Sequence, residues 1–157
     1  MTKVLVVYYS RTGHTRQIAE AIASACGGDL EAILEPRSRM GVFGFIRSVI
    51  ESLWESVAEI APSKKSPGDY DLVILGTPVW AGNMSSPMRA YIRRYRERLP
   101  RVAFFCSLIG ANPDKALPKM AAACGKDAAA TLEVRESELQ AGAHTAKISD
   151  FLKSIEL

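Results

Sequence analysis

Val4-Leu5-Val6-Val7-Tyr8-Tyr9 runs directly into Ser10-Arg11-Thr12-Gly13-His14-Thr15, and no other stretch restricts the fold of this chain so tightly. Six β-prone residues without a charge read as a buried strand. The hydroxyl-rich turn behind them opens into an amphipathic helical pattern. Such a strand–turn–helix gathers backbone N–H groups and the hydroxyls of Ser10, Thr12 and Thr15 around the positive end of a helix. That is a seat for a phosphate group; a polar turn that only caps a helix is the alternative. The loop is not that of the nucleotide hydrolases, because no Lys follows Gly13 as Gly-x4-Gly-Lys-Ser/Thr requires.

The rest of the chain repeats the alternation. Ile18, Ala19, Ile22 and Ala23 form a helical stripe within 15–25, which Gly27 and Gly28 stop. Further strands are expected at 29–34, 70–75, 102–106 and 130–134, and helices at 86–98, 113–123 and 145–155. Pro87 is tolerated in the first turn of its helix and Pro100 marks that helix's end. Strand and helix alternating five times predict an α/β domain with a mostly parallel sheet. At 157 residues the chain reads as one domain, 1–157, with no internal repeat and a turn-rich linker at 62–68. Ligands of such sheets sit outside the carboxyl ends of the strands, where strand order reverses. The loops after the first, third and fourth strands are therefore the places to look.

Composition removes several classes. Cys26, Cys106 and Cys124 are an odd number without a C-x-x-C spacing, so neither a disulfide framework nor a metal site is expected. A reducing cytoplasm is the expected compartment. The N-terminus reads as a buried strand, not a signal peptide, and no apolar run approaches the roughly 20 residues that span a bilayer. A net charge of +3 does not imply nucleic acid.

The second of the three loops contains Gly76, Thr77, Pro78, Val79, Trp80, Ala81, Gly82, Asn83 and Met84. Its Trp either packs on a flat aromatic ligand, at about 0.5–1.5 kcal/mol beyond area burial, or folds back on the core. The third contains Cys106, Ser107, Leu108, Ile109, Gly110, Ala111, Asn112 and Pro113, where Gly110 can take the positive φ that lets amides approach a ligand. Ser-x-Thr-Gly-x-Thr in the first loop resembles the phosphate loop of the flavodoxin family. Gly-x-Pro-x-Trp-x-Gly-Asn-Met in the second is similar to the flavin loop of flavodoxins and of FMN-dependent quinone reductases. The third matches by position. The resemblance covers residues 4 to 113 and implies a flavodoxin-like three-layer sandwich with a five-stranded parallel sheet of order 2-1-3-4-5.

It also implies FMN as cofactor. Ser10, Arg11, Thr12, Gly13, His14 and Thr15 would hold its phosphate. Pro78, Val79, Trp80, Ala81 and Gly82 would line one side of the ring system, with Trp80 stacking. Ser107, Leu108, Ile109 and Gly110 would supply the other edge. No protein residue need act as acid or base, since the cofactor carries the chemistry. His14 departs from the family's frequent Asn but can still donate to phosphate. His144 reads as structural, and Cys106 as an inert core thiol.

No Asp or Glu stands between Thr77 and Met88 or between Cys106 and Pro113. Loops without carboxylates favour a reduced anionic flavin and with it two-electron chemistry. The implied function is an NAD(P)H-dependent reductase of quinones or similar acceptors. The alternative is an electron carrier between protein partners with no turnover of its own. A homodimer stays open. Arg89, Arg93 and Arg96 share one helical face, which either attracts a nucleotide phosphate or acidic partner or is simply solvated. The basic, aromatic segment 36–47 carries Phe43 and Phe45 and leads into an amphipathic pattern through Ile50, Leu53, Trp54 and Val57. The helix is expected to pack on the core. Its entry loop could cover the flavin site, meet a partner chain or attach to an anionic membrane surface.

Overall fold

The computed structural model describes residues 1–35, 41–53, 58–110, 113 and 115–157. Among them the strands are β1 (Val4–Tyr8), β2 (Asp29–Ala32), β3 (Leu72–Trp80), β4 (Asn83–Met84), β5 (Arg101–Leu108) and β6 (Thr131–Arg135). The helices are α1 (His14–Cys26), α2 (Gly41–Leu53), α3 (Ser86–Tyr95), α4 (Ala116–Cys124), α5 (Glu136–Gln140) and α6 (His144–Ser154). The main sheet runs β2-β1-β3-β5-β6 with every pair parallel. That is the expected order 2-1-3-4-5, with β5 and β6 in the places of the fourth and fifth strands. The correction is a sixth strand: β4 pairs antiparallel with the end of β3, inside what the sequence suggested was a loop.

Alternation along each strand explains the uncharged runs. Val4, Val6 and Tyr8 face one helical layer, with Ile18 and Ile22 of α1 and Ile148, Phe151 and Leu152 of α6. Leu5 and Val7 face the other, with Met88, Tyr91 and Ile92 of α3 and Met120 of α4. Both faces are covered, so neither tolerates a charge. Each such side chain, once fully buried, contributes about 1.5–3 kcal/mol. One glycine is fixed by this packing. Gly76 pairs with Phe105 across β3 and β5, and a Cβ on it would fall 1.9 Å from the Phe105 ring.

Several boundaries move for identifiable reasons. β3 outruns the expected 70–75 because its register with β5 continues through Pro78 and Ser107. Past Gly76 it no longer has β1 as a neighbour, and a proline is tolerated on such an edge. The helix expected at 86–98 stops at Tyr95 and tightens into a 3₁₀ turn over Arg96–Arg98. α5 was not anticipated.

The largest departure is α2. The residues it buries include Gly44 and Ser48, while Phe43, Phe45, Ile46 and Ile50 are exposed, so Ile50 is not the core residue its periodicity suggests. The buried side of the helix thus includes small residues. Residues 36–40, Trp54 and Val57 lie outside the described residues. No helix among the described residues is long and apolar enough to cross a membrane.

Candidate functional site

The turn after β1 is held in shape by its own residues. Gly13 takes φ +105°, a left-handed conformation that favours glycine, and starts α1. Its N–H donates to Ser10 Oγ at 3.0 Å, which leaves the Ser10 proton available for another acceptor. Thr12 Oγ1 lies 3.3 Å from His14 Nδ1. The first turn of α1 presents N–H groups that have no acceptor within the helix, as every helix start does. Thr15 is different. Its hydroxyl is buried and sits 2.7 Å from Ser107 Oγ, tying the helix start to the end of β5.

The second wall is a hairpin. Ala81 at φ +50° and Gly82 at φ +76° form the two-residue turn between β3 and β4, the left-handed pair that a type I′ turn requires. Ala81 pays about 1–2 kcal/mol for that conformation. Thr77 Oγ1 accepts the Ser85 N–H at 2.9 Å, and Ser85 caps α3. Trp80 is 8% exposed and packs edge-on against Tyr9, with ring centroids 5.6 Å apart. Tyr9 donates its phenol to Glu35 at 2.5 Å, and Glu35 lies 3.7 Å from Arg47 of α2. The third wall is the end of β5, followed by an exposed Ile109 and by Gly110 at φ +66°. Ala111 and Asn112 lie outside the described residues.

These walls enclose one cavity of about 370 Å³. Of the residues singled out in sequence, Arg11, Thr12, His14, Thr15, Pro78, Val79, Trp80, Ala81, Ser107, Leu108 and Ile109 line it. Ser10, Gly13, Gly82 and Gly110 do not; they shape the loops behind the wall. Two further elements contribute: α2, whose Phe45 was one of two residues that could reach over the site (Phe43 does not line it), and the β6–α5 junction, which was not anticipated. α2 supplies Phe45, Ser48 and Val49, and the β6–α5 junction supplies Val134, Arg135, Glu136 and Leu139, with Ile18 beside them. Glu136 Oε1 sits 3.1 Å from His14 Nε2, so the cavity holds a carboxylate although its second and third loops hold none. Arg11 lies over the Phe45 ring, 5.5 Å from its centroid.

Cys106 is fully buried and does not line the cavity. Burial, with the Glu133 charge adding to it, pushes its thiol up to about 12. His144 starts α6 and does not line the cavity either. Among the described residues no group of three or more His, Cys, Asp or Glu could hold a metal ion.

A parallel sheet of this order between two helical layers, with its cavity at the strand ends around a polar helix start, defines the flavodoxin-like fold. Solved structures share it. A flavoprotein from Lactobacillus acidophilus NCFM in complex with FMN superposes with a TM-score of 0.75 at 21% identity, over 91% of this chain and 99% of that one. A candidate flavoprotein from Bacteroides eggerthii DSM 20697 gives 0.79 at 22% identity, over 100% and 99%. The NAD(P)H dehydrogenase (quinone) of Paracoccus denitrificans (strain Pd 1222) is 36% identical over 102 residues, 59% of this chain and 44% of its own length. The chain thus spans less than half the length of this curated relative. No protein-family model matches the chain.

Proposed function

We infer that this chain binds FMN and passes electrons from NAD(P)H to a quinone or similar acceptor. The observation that carries the reading is the convergence of three strand-end loops on one cavity. Its helix-start end gathers hydroxyls, amides, Arg11 and His14, with the Glu136 carboxylate beside His14, and the other loops line it with mostly apolar side chains. That donor set fits a phosphate joined to a flat ring system. The Thr12 hydroxyl, the amides of the first turn of α1 and the Arg11 guanidinium would hold the phosphate, with Ser10 fixing the turn through the Gly13 N–H. Pro78, Val79, Trp80, Leu108 and Ile109 would enclose the rings and exclude water from them. FMN, when bound, supplies the one- and two-electron chemistry. The chain's own residues bind it, orient it and limit access.

The relative from Paracoccus denitrificans supports NAD(P)H as donor and a quinone as acceptor. Three free cysteines, two of them buried, support a reducing compartment, the cytoplasm. An anaerobic titration of the FMN-loaded protein with NADPH and NADH, followed at the flavin absorbance bands, tests the reading. Rapid bleaching without a partner protein is the expected result. Tight FMN binding without bleaching would assign an electron carrier instead, and failure to bind FMN would overturn the reading altogether.

A further inference from the structure

Helix α2 is built inside out. The residues it buries include Gly44 and Ser48, and the Ser48 hydroxyl is satisfied by donating to Gly44 O at 2.7 Å. Three of its large apolar side chains turn away from the protein: Phe43 is 89% exposed, Ile46 46% and Ile50 50%. Spaced i, i+3 and i+7, they lie on one side of the helix. A helix on a globular protein normally does the reverse. Among the described residues the other exposed large apolar side chains are Leu34, the cavity-lining Phe45 and Ile109, and the near-terminal Met1 and Leu157. Exposed apolar surface is therefore concentrated on α2 and the cavity rim, which marks a surface that meets something.

α2 itself carries one cation and one acid, Arg47 and Glu51, and the helix beside it is basic. α2 packs against α3, where Arg93 and Arg94 are exposed. From Ser86 to Arg98 five arginines face a single acid, Glu97. Arg11 lies over Phe45 on the cavity side. The layer of α1, α5 and α6 on the opposite face of the sheet mixes Glu20, Glu136, Glu138 and Asp150 with Arg16, Lys147 and Lys153. A second copy of the chain would fit this face poorly, because a two-fold interface sets the same patch against itself and brings the arginines together.

We propose that this face docks on an anionic lipid bilayer, with Phe43, Ile46 and Ile50 entering the headgroup region and the α3 arginines meeting lipid phosphates. The docking rests on α2 and α3 alone. Its consequence for turnover rests on the quinone reading: Phe45 sits on the same helix and lines the cavity, so docking brings the mouth beside the phase in which an apolar acceptor dissolves.

Flotation of the full chain with phosphatidylcholine vesicles, with and without phosphatidylglycerol, tests this. Partition should be at least about tenfold stronger to the anionic vesicles and should fall at about 0.5 M salt. Ile46→Asp and Ile50→Asp should each lower it by about tenfold or more. Neither residue lines the cavity, so FMN affinity and the circular dichroism spectrum should stay as in the parent. Arg93→Glu should reduce the anionic preference. Equal partition to both vesicle types, no partition, or partition indifferent to the α2 substitutions would overturn the proposal. A dimer in analytical ultracentrifugation that Ile50→Asp dissolves, without vesicle binding, would assign the face to a second copy. FMN titration of the same sample reads the cofactor proposal separately: a chain that floats but rejects FMN keeps the docking surface and loses the redox function.

Discussion

Replacing Thr15 by Val keeps the shape of the side chain and removes a hydroxyl that lies 2.7 Å from Ser107 Oγ. Thr15 is 1% exposed and Ser107 7%, so water cannot easily replace the missing partner. Each single change, Thr15→Val or Ser107→Ala, deletes one hydrogen bond and strands one buried hydroxyl, a cost of about 1–3 kcal/mol. The double variant removes both groups and strands neither. Its cost should therefore fall short of the summed singles by about 1 kcal/mol or more. In a domain of this size 1 kcal/mol moves the melting temperature by roughly 2–4 °C. Urea unfolding followed by far-ultraviolet circular dichroism measures all four corners of the cycle. Because the pair joins the start of α1 to the end of β5, each single variant should also raise the Kd for FMN. Strict additivity within about 0.5 kcal/mol, or a neutral Thr15→Val, would refute the reasoning.

Gly76→Ala should destabilise by about 3 kcal/mol or more, since its Cβ would lie 1.9–2.5 Å from three atoms of the Phe105 ring; the loss should shrink in Gly76→Ala with Phe105→Leu. Ala81→Gly relieves a left-handed alanine and should stabilise by up to about 1 kcal/mol in the same unfolding assay. Burial pushes the Cys106 and Cys124 thiols up to about 12 from 9.0. Their stabilising contribution is whole below pH 9 and is lost as pH rises toward 12, by up to about 1.4 kcal/mol per unit for each thiol. Urea titrations across that window should show the slope, and replacing Cys106 by Ala should reduce it. Thr12→Val should weaken FMN binding about tenfold with riboflavin affinity unchanged, because riboflavin lacks the phosphate; equal losses for both ligands would move Thr12 out of the phosphate seat.

What was legible in the sequence follows from burial. Val4–Tyr8 and Leu72–Leu75 carry no charge because helices cover both faces of the sheet, and a run of that kind has few other readings. The three loops were legible because glycine, proline and hydroxyls sit at fixed offsets from those strands. The β3–β4 hairpin was not, since its turn is Ala81-Gly82 instead of the Asn-Gly that usually announces a type I′ turn. Glu136 and Leu139 were hidden for another reason. α5 is only five residues long, too short to show a period, and its place at the cavity is set by the register of β6 against β5. α2 misled because periodicity reports that one side of a helix is apolar but not which way that side faces. Gly44 and Ser48, small residues on its buried side, were the available signal.

The strand order also has a consequence for synthesis. β3 lies between β1 and β5, and each of those pairs is parallel, so neither can close as a local hairpin. β1 and the turn behind it leave the ribosome early but stay without their inner neighbour until β2, α2 and β3 have followed. The Thr15 hydroxyl finds Ser107 only when β5 arrives. The turn after β1 is thus made well before the strand that fastens it. Until β3 follows, β1 is an uncharged strand with an open edge, the kind of segment that pairs wrongly when left exposed.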